Sequence, residues 1–307
     1  MSEPVSQAEQ ERLLRLATYA SVVVATLLIF AKLAAYWYTS SVSVLASLID
    51  SLMDAGASTI NLFAVRYALS PPDSEHRFGH GKAESVAGLA QATFIAGSGL
   101  FLILESVERL LRPQPLAAFG IGLSVMVFAV IATLILIAIQ QHVIRRTNST
   151  AIKADSLHYK TDLLTNGVII AALLLSQLGW VGVDPIFAIA IAGYILYSAW
   201  GIGKEAFHDL LDRELPDEKR ELIIQIAKAH PKVRGMHDLR TRLSGRTEFV
   251  QMHLELDDHL PLVEAHAIAD EVENNIKTAL PSSDVVIHQD PVSSVQAHIQ
   301  SVFKKAP

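Results

Sequence analysis

The sequence contains no cysteine, so neither a disulfide nor a thiolate metal site can form. A metal ion would have to be bound by histidine, aspartate, glutamate or main-chain oxygen, which suit zinc, cadmium, iron or manganese better than copper(I). An excess of positive charge is also lacking. The 25 lysines and arginines face 31 aspartates and glutamates, and the resulting net charge of −6 does not favour binding to nucleic acid.

Charged residues of both signs are few. They make up 18% of the 307 residues, whereas 51% are hydrophobic, and the mean hydropathy is +0.34. This composition is too apolar for an ordinary soluble protein and predicts several passages through a lipid bilayer. The long apolar runs predict six transmembrane helices, at about residues 14–38, 42–69, 83–110, 117–142, 151–178 and 182–203.

The polar N-terminal segment, residues 1–13, has no basic start that leads into a short apolar core, so it is not expected to be a signal peptide. Basic residues are concentrated on one set of helix flanks. This set consists of Arg12, Arg15, Arg77, Lys82, Arg145, Arg146, Lys153 and Lys204. Since the opposite loops carry only Arg109 and Arg112, the positive-inside rule predicts that both termini are cytoplasmic.

Two aspartates lie within the second apolar run. Asp50 and Asp54 are four residues apart, which places both carboxylates on one face of a helix. A carboxylate at the centre of a bilayer costs roughly 2.5–3.5 kcal/mol, so such a pair indicates a functional site. The alternatives are a pair hydrogen-bonded to neighbouring helices and a pair that lines a water-filled cavity for another reason.

The fifth apolar run repeats this spacing with His158 and Asp162. Three carboxylates and one imidazole from two helices can supply the four ligands of a divalent cation such as zinc. Two other charged residues fall within the runs. We expect Lys32 to extend its stem toward the interface, and Asp155 to lie at the interface, at the mouth of the fifth span.

The loop after the second span offers another candidate metal site. Asp73, His76 and His80 lie close together in this polar segment. The chemistry is suitable for a metal ion. A histidine-rich loop can equally be merely solvated, and the sequence leaves this alternative open.

Beyond residue 211 the pattern changes to that of a soluble domain. Helical periodicity over 217–229 and 262–280, alternation over 237–243 and 248–256, and a short strand at 284–288 that ends before Pro291 predict the order α-β-β-α-β. Such an order packs as helices on a small sheet. We therefore expect a cytoplasmic segment at 1–13, a six-helix transmembrane domain at 14–208, a cytoplasmic α+β domain at 209–291 and a tail at 292–307.

This set of features, in this order, resembles the cation diffusion facilitators, in particular their bacterial zinc/proton antiporters. The resemblance rests on the Asp-x3-Asp pair, the His-x3-Asp pair, the segment Phe78–Glu84 (FGHGKAE) and the α-β-β-α-β tail. It implies a homodimeric antiporter of the bacterial inner membrane that exports Zn²⁺, and also Cd²⁺ or Fe²⁺, in exchange for protons. It further implies that zinc serves as a structural or regulatory ion as well as the transported substrate.

The resemblance also assigns residues. The implied transport site consists of Asp50, Asp54, His158 and Asp162, and the implied loop site of Asp73, His76 and His80. The implied cytoplasmic site consists of His237, His253, His266, His288, Gln289 and Asp290. Lys82 and Asp212 would form a charge interlock that ties the dimer together. A single histidine such as His253 can also have a structural role, and that alternative stays open.

Three other functions compete with transport by antiport. An intramembrane aspartyl protease needs carboxylates from separate helices, and no His-Glu-x-x-His zinc motif occurs, so an enzyme is not expected. A passive divalent-cation channel would need weak binding at several sites rather than one closed site. A membrane receptor that senses metal without moving it would carry the same cytoplasmic site, and the sequence does not separate it from a transporter.

Overall fold

The computed structural model describes residues 7–39, 42–111, 121–177 and 184–295. Six long helices come first: α1 (Gln7–Thr39), α2 (Val42–Ala68), α3 (Lys82–Leu111), α4 (Ile121–Thr147), α5 (Thr150–Gln177) and α6 (Asp184–Leu210). A mixed segment follows: α7 (Asp217–Ala229), β1 (Gly235–Ser244), β2 (Thr247–Leu256), α8 (Leu262–Ala279) and β3 (Ser283–Pro291). The chain divides into two compact units, Met1–Phe207 and His208–Pro307.

The first unit has the surface of a membrane protein. Large apolar side chains point outward along its helices, among them Phe30, Phe63, Phe101 and Leu104, each more than 60% exposed. Within the described residues, three helical stretches are long and apolar enough to cross a bilayer: 8–38, 82–108 and 127–147. The charged residues that interrupt α2 and α5 lower their hydropathy, and membrane crossing by the remaining helices of the predicted six stays a prediction.

The interior of the first unit is lined by small and polar side chains. One apolar cluster joins α1, α2, α3, α4 and α5 through buried residues that include Leu14, Val65, Val143 and Ile152. Buried serines, threonines and glutamines lie between these helices. Because lipid is as apolar as leucine, close packing and hydrogen bonds between small polar residues hold such helices together.

The second unit is a three-stranded sheet covered on one face by two helices, as the sequence predicts. The strand order is β1-β2-β3, with β1 and β2 antiparallel and β2 and β3 parallel. The core contains Ile223 of α7, Met252 and Leu254 of β2, and Val272 and Ile276 of α8. Alternation along β2 directs His253 away from this core, to the uncovered face of the sheet.

Replacing Ile276 by alanine is expected to destabilise this unit. Ile276 is fully buried, and deletion of such a side chain costs about 2–5 kcal/mol. The most protected backbone amides of α8 should then exchange at least about 30-fold faster in the full-length protein. The adjacent exposed residue offers the control, since Asn275→Ala should leave that exchange rate nearly unchanged. Equal exchange rates in the two variants would contradict this packing.

Candidate metal centres

A first candidate centre lies between α2 and α5. His158 Nε2 is 3.0 Å from Asp54 Oδ1 and 3.8 Å from Asp162 Oδ2. One ligand atom of each of the three residues lies within 4.8 Å of the others. The imidazole is almost wholly buried, and the two carboxylates are partly exposed. Helix periodicity brings His158 above Asp162, but only the packing of α5 on α2 brings Asp54 to them.

Asp50, the fourth residue of the predicted transport site, is exposed and lies outside this compact group. It is one turn before Asp54 on α2, so its charge still acts on those of Asp54 and His158. The geometry thus supplies three convergent ligand atoms, with Asp50 as a third carboxylate and fourth candidate ligand beside them. Two oxygen ligands and one nitrogen ligand at this spacing suit a small divalent cation.

Lys32 corrects an expectation drawn from the sequence. Its ammonium does not reach for the interface but donates hydrogen bonds to the carbonyl oxygen of Ser47 (2.9 Å) and to Ser51 Oγ (2.6 Å) on α2. The charges of Asp50 and Asp54 also act on it. These contacts replace the water or lipid headgroups that a snorkelling lysine would otherwise seek.

Two hydrogen-bonding residues hold α5 beside its neighbours. Tyr159, which follows His158, is buried, and its hydroxyl lies 2.8 Å from Ser58 Oγ on α2. Asp155, expected at the interface, is fully buried. Its burial is possible because three side chains from other helices donate hydrogen bonds to its carboxylate. Sequence reasoning missed this role, since charge and position alone do not reveal the donors.

A second candidate centre lies in the loop between α2 and α3. Asp73 Oδ1 is 3.4 Å from His76 Nδ1, and Asp73 Oδ2 is 3.3 Å from His80 Nε2. His80 is buried and packs against the ring of Tyr67. The backbone N–H of His76 donates to Asp73 and lowers the pKa of that carboxyl, which therefore stays ionised at neutral pH. The structure brings all three predicted loop residues together.

The third candidate centre lies on the uncovered face of the sheet. The strand register places His237, His253 and His288 side by side, one on each strand. Asp290 Oδ2 lies 2.7 Å from His253 Nδ1 and 3.5 Å from His237 Nε2. Asp290 Oδ1 is 3.2 Å from His288 Nε2. A ligand atom from each of His237, His253 and Asp290 falls within 4.8 Å of the others.

The neighbouring histidines favour the ionised form of the Asp290 carboxyl, which is the form that binds a cation. Burial acts to raise its pKa, but the hydrogen bond from His253 and the charges of His288, His253 and His237 act in the opposite direction. The pKa of Asp290 consequently lies below its ordinary value. The carboxyl is therefore ionised at neutral pH, as a metal ligand must be.

Two predicted cytoplasmic ligands lie apart from this cluster. His266 is an exposed residue of α8 and contacts Asp270 at 3.5 Å. Gln289 alternates with His288 and Asp290, so it falls on the strand face of Val285 and Ile287, which pack against the helices. Their assignment as ligands stays a prediction.

Two carboxylates that the sequence reasoning did not name complete the surroundings. Glu255 Oε1 is 3.0 Å from His237 Nδ1, and a Cβ atom at Gly235 would lie 2.5 Å from Glu255 Oε2. A side chain at position 235 would therefore displace the carboxylate end of Glu255 from this position. Asp238, at a bulge in β1 with φ of 48°, lies 3.9 Å from His253 Nε2. Glu255 shares the alternation of His253, a signal that the sequence does contain.

Residues 18–211 match the family pattern described as the cation efflux transmembrane domain. The chain belongs to the cation efflux family. Residues 215–292 match the pattern described as the cytoplasmic domain of cation efflux proteins. The family resemblance inferred from the motifs is thus confirmed, as is the fold class of a helical transmembrane domain followed by a cytoplasmic domain with a small sheet.

Relatives match over nearly the full length. The cation-efflux pump FieF of Klebsiella pneumoniae is 53% identical over 294 residues, which cover 96% of this chain and 98% of that protein. The FieF pump of Escherichia coli is 54% identical over 284 residues, 92% of this chain and 95% of that protein. A structure of CzrB in its Zn form is 33% identical and covers 26% of this chain and 92% of that chain, with a TM-score of 0.25.

The two residues of the predicted dimer interlock belong to different units. Lys82 is the first residue of α3, and Asp212 follows α6 in the left-handed backbone region, with φ of 57°. The Asp212 carboxylate accepts a hydrogen bond from Arg242 Nη1 at 3.2 Å. The pairing of Lys82 with Asp212 in a homodimer stays a prediction.

Proposed function

We propose that this protein exports divalent metal ions, foremost Zn²⁺ and also Cd²⁺ or Fe²⁺, from the bacterial cytoplasm across the inner membrane in exchange for protons. One observation carries the proposal: Asp54, His158 and Asp162 converge between two helices of the transmembrane domain. The pumps named above, whose names describe cation efflux, support the direction of transport. Asp50, one turn from Asp54, is the proposed fourth ligand.

The chemistry of the ligands couples metal to protons. Aspartate binds a metal only when ionised, and histidine only when neutral, so each arriving metal ion competes with protons. In a site that opens alternately to each side of the membrane, protons entering from outside would release the metal. The protonated site would then return to the cytoplasmic side. A site of this kind saturates at low metal concentration, because it binds more tightly than the weak sites through which a passive channel conducts.

The third candidate centre, hereafter the cytoplasmic cluster, would regulate transport. Zinc bound by His237, His253 and Asp290, with His288 beside them, would favour one arrangement of the two copies in a homodimer. Within one chain, the predicted ligands His266 and Gln289 do not reach this cluster. In a homodimer, they would contact metal bound by the second copy of the chain. The loop trio Asp73, His76 and His80 would bind metal near the cytoplasmic entrance.

The experiment that tests antiport measures both fluxes at once. The protein is reconstituted in liposomes that contain a zinc-sensitive dye and a pH-sensitive dye, and Zn²⁺ is added with and without a pH gradient. Saturable zinc uptake with proton movement in the opposite direction is expected, and a liposome interior more acidic than the outside should accelerate it.

The rival functions predict different results in this assay. Zinc movement without proton counterflow would point to a channel. Absence of movement, with zinc still bound by the cytoplasmic cluster, would leave a metal-sensing receptor. Proteolysis of a membrane peptide, which an intramembrane protease would catalyse, is not expected.

A further inference from the structure

Asp155 is a buried carboxylate that the proposed mechanism does not use. It is fully buried in the first unit, three residues before His158. Its Oδ2 accepts hydrogen bonds from Ser21 Oγ (2.5 Å) and from Gln140 Nε2 (2.8 Å), and its Oδ1 accepts one from Gln91 Nε2 (3.0 Å). These donors lie on α1, α4 and α3. A single side chain therefore ties α5 to three other helices.

These hydrogen bonds lie close to His158 along α5, so they fix the position of the helix at the candidate metal centre. His158 follows Asp155 by three residues, so both lie on neighbouring parts of the same helix face. On the other side of His158, the hydroxyl of Tyr159 bonds to Ser58 of α2. Sites that bind ions need ligand positions held to about 0.5 Å. A shift of α5 at Asp155 would change the 3.0 Å separation of His158 from Asp54.

We propose that Asp155 is a positioning residue for transport, which fixes α5 so that His158 and Asp162 meet Asp54. This inference rests on the proposed function of these three residues. The role assigned to Asp155 is geometric and does not depend on its charge. That distinction is testable, because the surrounding glutamine amides can adapt to a neutral side chain of the same shape.

Asparagine can replace Asp155 with little loss of hydrogen bonding. The side-chain oxygens of Gln91 and Gln140 are buried and have no hydrogen-bond partner among the described residues. If the Gln91 amide rotates by half a turn, its oxygen can accept a hydrogen bond from the amide group of the introduced asparagine. The asparagine oxygen then accepts from Ser21 and Gln140 as the carboxylate did. All three connections between helices are retained while the charge is lost.

The test compares Asp155→Ala, Asp155→Asn and the adjacent control Ser156→Ala. Ser156 is also buried and accepts one hydrogen bond from Gln141 of α4. Each variant is purified, its folded fraction is measured by gel filtration, and Zn²⁺ uptake into liposomes is recorded against zinc concentration. The alanine variant is expected to raise KM at least tenfold, and the folded fraction normalises only the maximal rate. The asparagine variant should stay within threefold, and the control within twofold, of the native protein.

Two results would overturn the positioning role. A native KM in Asp155→Ala would show that α5 is held without this residue. An asparagine variant as impaired as the alanine variant would assign the effect to charge. The variant Asp54→Ala tests the proposed function independently of this inference. If Asp54→Ala is inactive while Asp155→Ala transports zinc as the native protein does, only the inference about Asp155 fails. Native transport by Asp54→Ala would refute the transport site itself.

A second comparison keeps the inference testable if Asp155→Ala does not fold. Gln91→Met removes the connection from α3 to Asp155 while the carboxylate keeps its hydrogen bonds from Ser21 and Gln140. Its KM is expected to rise at least about threefold, and the double variant with Asp155→Asn should add only the small effect of the asparagine, because Gln91 connects to position 155 in both backgrounds. A native KM in Gln91→Met would contradict the positioning role.

Discussion

Replacing Asp54 by alanine is expected to reduce zinc uptake into liposomes to that of protein-free vesicles. Asp54 provides the sole contact that α2 makes with His158 among the hydrogen bonds found in the described residues, at 3.0 Å. Without it, His158 and Asp162 are the two members of the compact group that remain, with Asp50 outside it, where zinc prefers four ligands. Since even the loss of an outer partner of a ligand reduces affinity 10–100-fold, loss of the ligand itself should cost at least about 100-fold in transport at low zinc.

The neighbouring residue provides a matched control for this experiment. Met53 lies next to Asp54 on α2, but its side chain is 56% exposed and does not belong to the candidate metal centre. Met53→Ala should transport zinc at nearly the native rate if both variants are inserted and folded equally. Asp50→Ala should have an effect of intermediate size, because Asp50 lies outside the compact group. Substantial zinc transport by Asp54→Ala would disprove the assignment of the transport site.

Replacing His253 by alanine is expected to remove one zinc ion per chain without abolishing transport. His253 is the middle member of the histidine row, with ring centroids 5.0 Å from His237 and 4.6 Å from His288. It also lies within hydrogen-bond distance of Asp290, at 2.7 Å. Its removal deprives the cluster of its central ligand, so zinc affinity at this site should fall at least about 100-fold. Equilibrium dialysis of the full-length protein would count the bound ions.

The rate of zinc uptake distinguishes a regulatory metal cluster from a transport site. In the His253→Ala variant, the maximal rate of zinc uptake should fall by less than tenfold, because the transmembrane ligands are intact. His230→Ala is the control: His230 caps α7 and contacts Glu271 of α8, away from the cluster. An unchanged number of bound zinc ions in His253→Ala would refute a metal site on this face of the sheet.

Local patterns in the sequence were sufficient for the elements and for the pairs within them. Spacing of four residues places Asp50 near Asp54 and His158 near Asp162 in any helix, whatever the helix packs against. Alternation along β2 likewise directs His253 and Glu255 to one face in any sheet. The family resemblance rested on such short patterns together with their order, and the full-length matches confirmed it.

Interactions between distant residues required the tertiary structure. His158 and Asp54 are 104 positions apart, and only the packing of two helices sets their separation. From the sequence, Lys32 and Asp155 are expected at the membrane interface. A sequence reveals their charges, but it does not reveal the hydrogen-bond donors and acceptors that other helices place around them. Strand register is equally non-local, and it decided that His237, His253 and His288 form one row.

The sequence by itself therefore determined the family, the membrane-spanning character and the identity of the candidate ligands, because these depend on composition and on spacings of a few residues. The tertiary structure alone decided which ligands converge. It separated Asp54 from Asp50 and the three-stranded histidine row from His266 and Gln289, and it revealed Asp155 as the buried junction of four helices. Side chains from separate elements meet only where packing brings their backbones together, and no local pattern encodes that distance.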